Sequence, residues 1–208
     1  METSDINQFV SSYKTRGTML ISPKNKLSPL SKSDLKELDT CCEEVEKEFI
    51  QIGDAGEQNN LLVGRFMTDI EKPEVVNNAY SERVLKILNG EKVIKFIREI
   101  LDLKSDCFVR RAQFNQLSTN NYVGYHLDID SNPDYIAAAV IQLGSKYEGG
   151  KYRVYQKDKS YFDYISSYGD LIISNCNYPH EVTKVTTGER KSLVFFVSKH
   201  SGPNKRKR

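Results

Sequence analysis

The spacing of apolar positions changes character near the middle of this 208-residue chain. In the first half it follows steps of three and four. From Ser31, the run SKSDLKELDTCCEEVEKEFIQIG places Leu35, Leu38, Cys42, Val45, Phe49 and Ile52 on one stripe, which predicts a helix buried along one face. Ser31 with Asp34 matches a capping box at its start, and Gly53 is placed to stop it. SERVLKILNG predicts a second helix ending at Gly90, and EKVIKFIREILDL a third. After Asp106 the period shortens to two. CFVRRAQFNQL, YIAAAVIQLG, KYRVYQ, GDLIIS, EVTKVT and KSLVFFVS are short runs rich in Val, Ile, Tyr and Phe, separated by Gly, Asn, Asp and Pro. That is the pattern of an antiparallel sandwich or barrel.

Helices first and strands after predict an α+β chain with a mainly β core and its N-terminal helices packed on the outside of one sheet. The length suits one domain over residues 1–200, helical to about 105 and stranded over about 106–198. The basic end SGPNKRKR, residues 201–208, is expected to be a solvated tail, with a nuclear address or a nucleic-acid contact as its alternatives. Basic and acidic residues number 30 and 28, a net charge of +2, which makes no electrostatic case for nucleic acid or an anionic membrane. No run approaches the roughly 18 apolar residues of a membrane span. The opening METSDINQFVSSYK has early acidic residues and no apolar centre, so it does not read as a signal peptide. Cys41, Cys42, Cys107 and Cys176 form no C-x-x-C pair and are expected to be free thiols in a reducing, cytoplasmic setting.

Candidate chemistry sits in the second half. The chain has three histidines: His126, His180 and His200. His126 begins His-Leu-Asp, and on a strand residues two apart share a face, so His126 and Asp128 can bind one ion. Alone the motif is weak, and a His in a turn beside an exposed Asp is the plain alternative. His180, in GDLIISNCNYPHEV, opens a strand after a polar turn. Two His and one carboxylate on one face of a metal leave the open positions that a non-haem iron oxygenase needs. Ten residues on, Arg190 starts the apolar strand of GERKSLVFF and can grip a carboxylate with two parallel hydrogen bonds, with Ser192 on the same face. Glu148-Gly149-Gly150 reads as a tight turn. On YIAAAVIQLG, Ala138 and Val140 leave room for a cofactor to which Gln142 could donate. Arg111, Gln113 and Asn115 share a face that is either a pocket lining or the solvent side of an edge strand. Tyr125 and Tyr155 are candidate aromatic lining. Asp130 and Asp134 follow in a loop, either facing a cationic substrate or forming a solvated turn.

YHLDID, YEGGKYRVY, GDLIISNCNYPHEV and GERKSLVFFV, in that order, resemble the double-stranded β-helix, or jelly roll, of the iron(II)/2-oxoglutarate oxygenases over about residues 107–198. The resemblance is to the prolyl-hydroxylase-like branch. It implies Fe(II) held by His126, Asp128 and His180, O2 as oxidant, and 2-oxoglutarate as co-substrate with Arg190 and Ser192 on its far carboxylate. Gln142, Gln113 and Asn115 are further candidates beside the oxoacid, and Asp130, Asp134, Arg111 and Tyr125 candidates for the substrate. Ascorbate is an optional reductant. The implied reaction is hydroxylation of an unactivated C–H bond in a small molecule such as an amino acid, with succinate and carbon dioxide as co-products. Asp128 disfavours halogenation, because related halogenases carry Gly or Ala there. A peptide or protein hydroxylase is the second expectation, and a non-enzymatic jelly-roll binding module the third. A nucleic-acid demethylase has the least support. Oligomeric state is left open: the stripe from Leu35 to Ile52 could pair between subunits or pack on the sheet.

Overall fold

Two antiparallel sheets face each other, and one long strand joins them. The computed structural model describes residues 2–205. Four helices come from the first half: α1 (Glu2–Arg16), α2 (Lys32–Glu44), α3 (Asn78–Leu88) and α4 (Glu91–Ile100). A one-turn helix, α5 (Asp128–Ser131), comes later. The first half also supplies strands β1 (Thr18–Ile21), β2 (Lys47–Ile52), β3 (Gln58–Asp69) and β4 (Pro73–Val75). The rest are β5 (Phe108–Ser118), β6 (Tyr122–His126), β7 (Ala137–Gln142), β8 (Tyr147–Gly149), β9 (Tyr152–Tyr155), β10 (Tyr161–Tyr164), β11 (Leu171–Asn175), β12 (His180–Val182) and β13 (Val185–Ser198).

The larger sheet runs β1-β11-β7-β13-β5-β3, with β2 and β4 also paired to β3. The smaller runs β6-β12-β9-β10. β3 joins the two, because Asn59 and Asn60 at its start pair with β6. β8 pairs with the first residues of β13. This is the double-stranded β-helix, and alternation along its strands builds two cores. Phe114, Ala139, Ile141, Leu193 and Phe195 face outward from the larger sheet and pack against Leu35, Leu38, Leu88, Phe96 and Ile100 of the helices. Leu61, Val63, Val140, Val154, Ile172 and Val182 face the space between the sheets. The helices therefore cover one sheet from outside. No helix among the described residues is long and apolar enough to cross a membrane.

Three expectations need correction. The helix predicted to reach Ile52 ends at Glu44. Ser31 and Asp34 do form a capping box. Val45, however, turns to extended dihedrals and packs where Gly64 has no side chain, so a Cβ there would lie 2.4 Å from Val45 Cγ1. Lys47–Ile52 then pairs with β3, Phe49 opposite Leu62. Phe49 and Ile52 continued the helical stripe in sequence, yet they are 53% and 56% exposed. Strand pairing with a distant segment overrode a local period. For the same reason the first hundred residues are not simply helical, and β3 is a 12-residue strand within the larger sheet. EVTKVT is split between β12 and β13. The C-terminal segment is exposed, as a solvated tail is expected to be, but Asn204 and Lys205 hydrogen-bond to the rest of the chain. Asn204 Nδ2 donates to Ile70 O at 2.8 Å and the Lys205 N–H to Asp134 Oδ2 at 2.8 Å. Residues 206–208 lie outside the described residues.

Candidate active site

His126 is the last residue of β6 and His180 the first of β12, and they pair directly across the two strands. Asp128 is not on the strand with His126, as the two-residue spacing suggested. The strand ends at His126 and Asp128 opens α5. The turn nonetheless swings the carboxylate back. Asp128 Oδ1 lies 3.3 Å from His126 Nε2 and Oδ2 lies 3.6 Å from His180 Nε2. The three donor atoms fall within 4.8 Å of one another, which fits a single metal ion. Each Nδ1 is 2.8–3.1 Å from a backbone carbonyl, Gly124 O for His126 and Tyr178 O for His180. A carbonyl can only accept, so each Nδ1 carries a proton and Nε2 is the ring atom turned to the carboxylate. This tautomer is the one that binding a metal through Nε2 requires.

Burial sets the charges. It pushes the His180 imidazole below its ordinary value, against the pull of Asp128. Burial also lowers His126, but the Asp128 carboxylate outweighs it and the net direction is up. Asp128, which burial alone would raise, is held below the usual carboxylate range by His180 and His126. Its Oδ2 is buried with no hydrogen-bond donor. A buried carboxylate oxygen flanked by two imidazole Nε2 atoms is a site for a cation.

Arg190, on β13, faces the same cavity and is 2% exposed. Its Nη1 donates to Ser192 Oγ at 3.1 Å, while Nε and Nη2 have no hydrogen-bond acceptor. Burial pulls its pKa below the ordinary value, and the hydroxyls of Tyr147 and Tyr152 beside it partly offset this. An uncompensated buried guanidinium costs several kcal/mol, which an incoming carboxylate would relieve. The Gly149-Gly150 turn makes room for it. Both residues have positive φ, and a Cβ on Gly150 would stand 3.0 Å from Arg190 Cδ.

The cavity between the sheets holds about 880 Å³ of free space, including the part open to solvent. The candidates divide around it. Arg111, Gln113 and Asn115 line it, so their strand face is a pocket wall rather than a solvent edge. Arg111 Nε donates to Gln113 Oε1 at 2.9 Å, and Gln113 Nε2 to Asn115 Oδ1 at 2.8 Å. Gln142 shares the inward strand face of Ala138 and Val140 but lies beyond the cavity lining, where it donates to Gly144 O at 2.9 Å. Tyr125 points the other way from His126, as strand alternation requires, and is 58% exposed against Tyr155. Asp130 is exposed and outside the cavity. Asp134 is buried in a separate cluster, 3.0 Å from His200 Nε2, with Arg110, Asp69 and Asn132 nearby. Neither aspartate lines the cavity.

Sequence reasoning missed four lining or neighbouring groups. Tyr152 lies on the cavity wall, its ring 5.3 Å from that of His180. Nothing in KYRVY set it apart from the other strand tyrosines. Tyr147 donates to Ser166 O at 2.7 Å and sits beside Arg190. Asp54 and Glu57 come from the turn between β2 and β3, which folds over the cavity mouth. No local signal tied that turn to a site seventy residues away.

The family model of the 2OG-Fe(II) oxygenase superfamily matches residues 112–198. An oxidoreductase of the 2OG-Fe(II) oxygenase family from Burkholderia pseudomallei has a crystal structure 31% identical to this chain, covering 97% of it and 94% of that chain, with a TM-score of 0.89. A prolyl hydroxylase from Trichoplax adhaerens, in complex with a hypoxia inducible factor peptide fragment, is 13% identical. It covers 94% of this chain and 83% of its own at a TM-score of 0.66. The epimerase SnoN, in complex with Fe3+, alpha ketoglutarate and a nogalamycin compound, is 8% identical and covers 95% and 84% at 0.71. The last two likenesses are of fold. No curated protein sequence matches the chain.

Proposed function

The chain belongs to the 2OG-Fe(II) oxygenase superfamily, and on that premise we propose that it hydroxylates a C–H bond of a small molecule such as an amino acid. Bound Fe(II) and 2-oxoglutarate supply, with O2, the oxidising power of that reaction, and the co-substrate leaves as succinate and carbon dioxide. His126 and His180 would hold the metal through Nε2, and Asp128 through its carboxylate. Their Nδ1 protons, bound to Gly124 O and Tyr178 O, fix the ring orientations. Arg190 and Ser192 would hold the far carboxylate of the co-substrate.

The observation that carries this reading is Arg190: a buried guanidinium with two unsatisfied donors, facing the same cavity as the triad. The small-molecule preference is supported by the turn folded over the cavity mouth, where Asp54, Ala55 and Glu57 line it.

The test is 2-oxoglutarate turnover with Fe(II), ascorbate as reductant, and a panel of free amino acids against short peptides. Fe(II)-dependent succinate that vanishes in His126→Ala, with a 16-unit mass gain on a free amino acid, is the expected result. Turnover with peptides alone would overturn the small-molecule part. Absence of iron binding would overturn the whole.

A further inference from the structure

Beyond the triad and Arg190 the cavity is lined by four further charged side chains, Asp54, Glu57, Arg65 and Arg111, of which Arg111 stands nearest the metal's end of the wall. Inward residues on three neighbouring strands form rows. Gln142, Ser192 and Asn115 pair across β7, β13 and β5; Val140, Val194 and Gln113 form the next row, and Ala138, Phe196 and Arg111 the third. Rows lie about 6.7 Å apart along the strands, and strands about 4.8 Å apart across them. The turn bearing Asp128 packs at the third row, since Ile129 lies against Ala138, Cys176 and Phe196. Arg190 lies beyond the first row. A co-substrate reaching from the metal to Arg190 therefore runs over β7 and β13. Arg111 stands at the metal's end, over β5. Its strand separates it from Leu117, the partner of Arg190, by roughly 20 Å. Arg111 and Arg190 therefore stand at opposite ends of this wall.

Arg111 is held as a prepared anion site. Its side chain is 13% exposed and lines the cavity. Gln113 accepts from Nε and is itself braced by Asn115, which fixes the guanidinium fork. The Phe196 ring lies 5.7 Å from Cζ. Nη1 donates to the carboxylate of Asp54, which sits on the β2–β3 turn with its side chain 42% exposed. The protein thus already sets a carboxylate, its own and on an exposed turn, against a guanidinium beside the metal site.

We propose that Arg111 anchors the substrate, and that the substrate carries a carboxylate that exchanges with Asp54 on this guanidinium. This deepens the oxygenase reading above and rests on it. Asp54 holds the turn over the cavity until the exchange, so the same contact that orients the substrate also loosens the cover through which it enters. Gln113 and Asn115 give the wall between Arg111 and Ser192 amide hydrogen-bonding groups along the bound molecule.

The experiment uses the full chain loaded with redox-inert Mn(II) and saturating 2-oxoglutarate, which fills Arg190. N-acetylglycine and its amide are then titrated by calorimetry. The wild type should bind the carboxylate weakly and the amide not at all. Asp54→Asn, on an exposed turn, should bind the carboxylate about tenfold tighter or more, because a tethered competitor at millimolar effective concentration is gone. Adding Arg111→Gln should abolish the binding. No gain in Asp54→Asn, equal binding of the amide, or binding that survives Arg111→Gln each overturns the proposal. Failure of 2-oxoglutarate itself to bind the Mn(II) protein would instead strike the Arg190 assignment, and the two failures appear in separate titrations.

Discussion

Two buried arginines, on neighbouring strands, have opposite stories. Arg110 is fully satisfied. Its Nε and Nη2 meet Asp69 at 2.7 and 3.0 Å, and its Nη1 meets His200 O at 2.9 Å, with both ion-pair partners at 0% exposure. Removing one side of such a pair strands the other. Asp69→Ala should therefore cost about 3–5 kcal/mol, read as a drop in the urea midpoint at unchanged slope. Arg190 lacks such a partner. Arg190→Met should leave stability unchanged or raise it, while weakening 2-oxoglutarate binding by about 2–5 kcal/mol. A loss of stability as large as that of Asp69→Ala would mean that Arg190 is structural rather than a ligand site.

At the scale of elements, glycines set where strands can approach. A Cβ on Gly124 would fall 2.3 Å from the carbonyl oxygen of Gln58, a backbone atom that cannot swing away. Gly124 also supplies the carbonyl that holds His126. Gly124→Ala should push β6 from β3, shift His126, and weaken Mn(II) binding, while circular dichroism still reports a folded sheet. The start of α2 offers a contrast far from the cavity. Its capping box satisfies two helix-end groups, so Ser31→Ala should cost about 1 kcal/mol and leave metal affinity alone.

For the whole molecule, the cluster of Asp134, His200 and Lys205 ties the C-terminal segment to the loop after α5. Burial raises the Asp134 carboxyl, but the His200 contact and the Lys205 N–H outweigh it, and the net direction is below its ordinary 3.8. A carboxyl depressed in the folded state contributes stability above the unfolded value and loses it as pH falls through the folded one. Stability should therefore drop on the acid side of pH 3.8, and Asp134→Asn should flatten that limb. An unchanged acid limb in the variant would remove Asp134 from the account.

What the sequence determined by itself was whatever a local period or a short spacing can carry. The strands Phe108–Ser118, Ala137–Gln142, Tyr152–Tyr155 and Leu171–Asn175, the helices ending at Leu88 and Ile100, the capping box at Ser31 and the grouping of His126, Asp128, His180, Arg190 and Ser192 were legible because each depends on neighbours within a few residues or on an ordered set of short motifs. The tertiary structure decided what depends on distant pairing. Lys47–Ile52 became a strand because β3 lay alongside it, against its own helical stripe. Asp134 and Asp130, equivalent in a polar loop on paper, separated into a buried clamp and an exposed carboxylate. Asp54 reached Arg111 across fifty-seven residues of chain, a contact set by how the β2–β3 turn folds over the cavity and by nothing in the sequence around either residue.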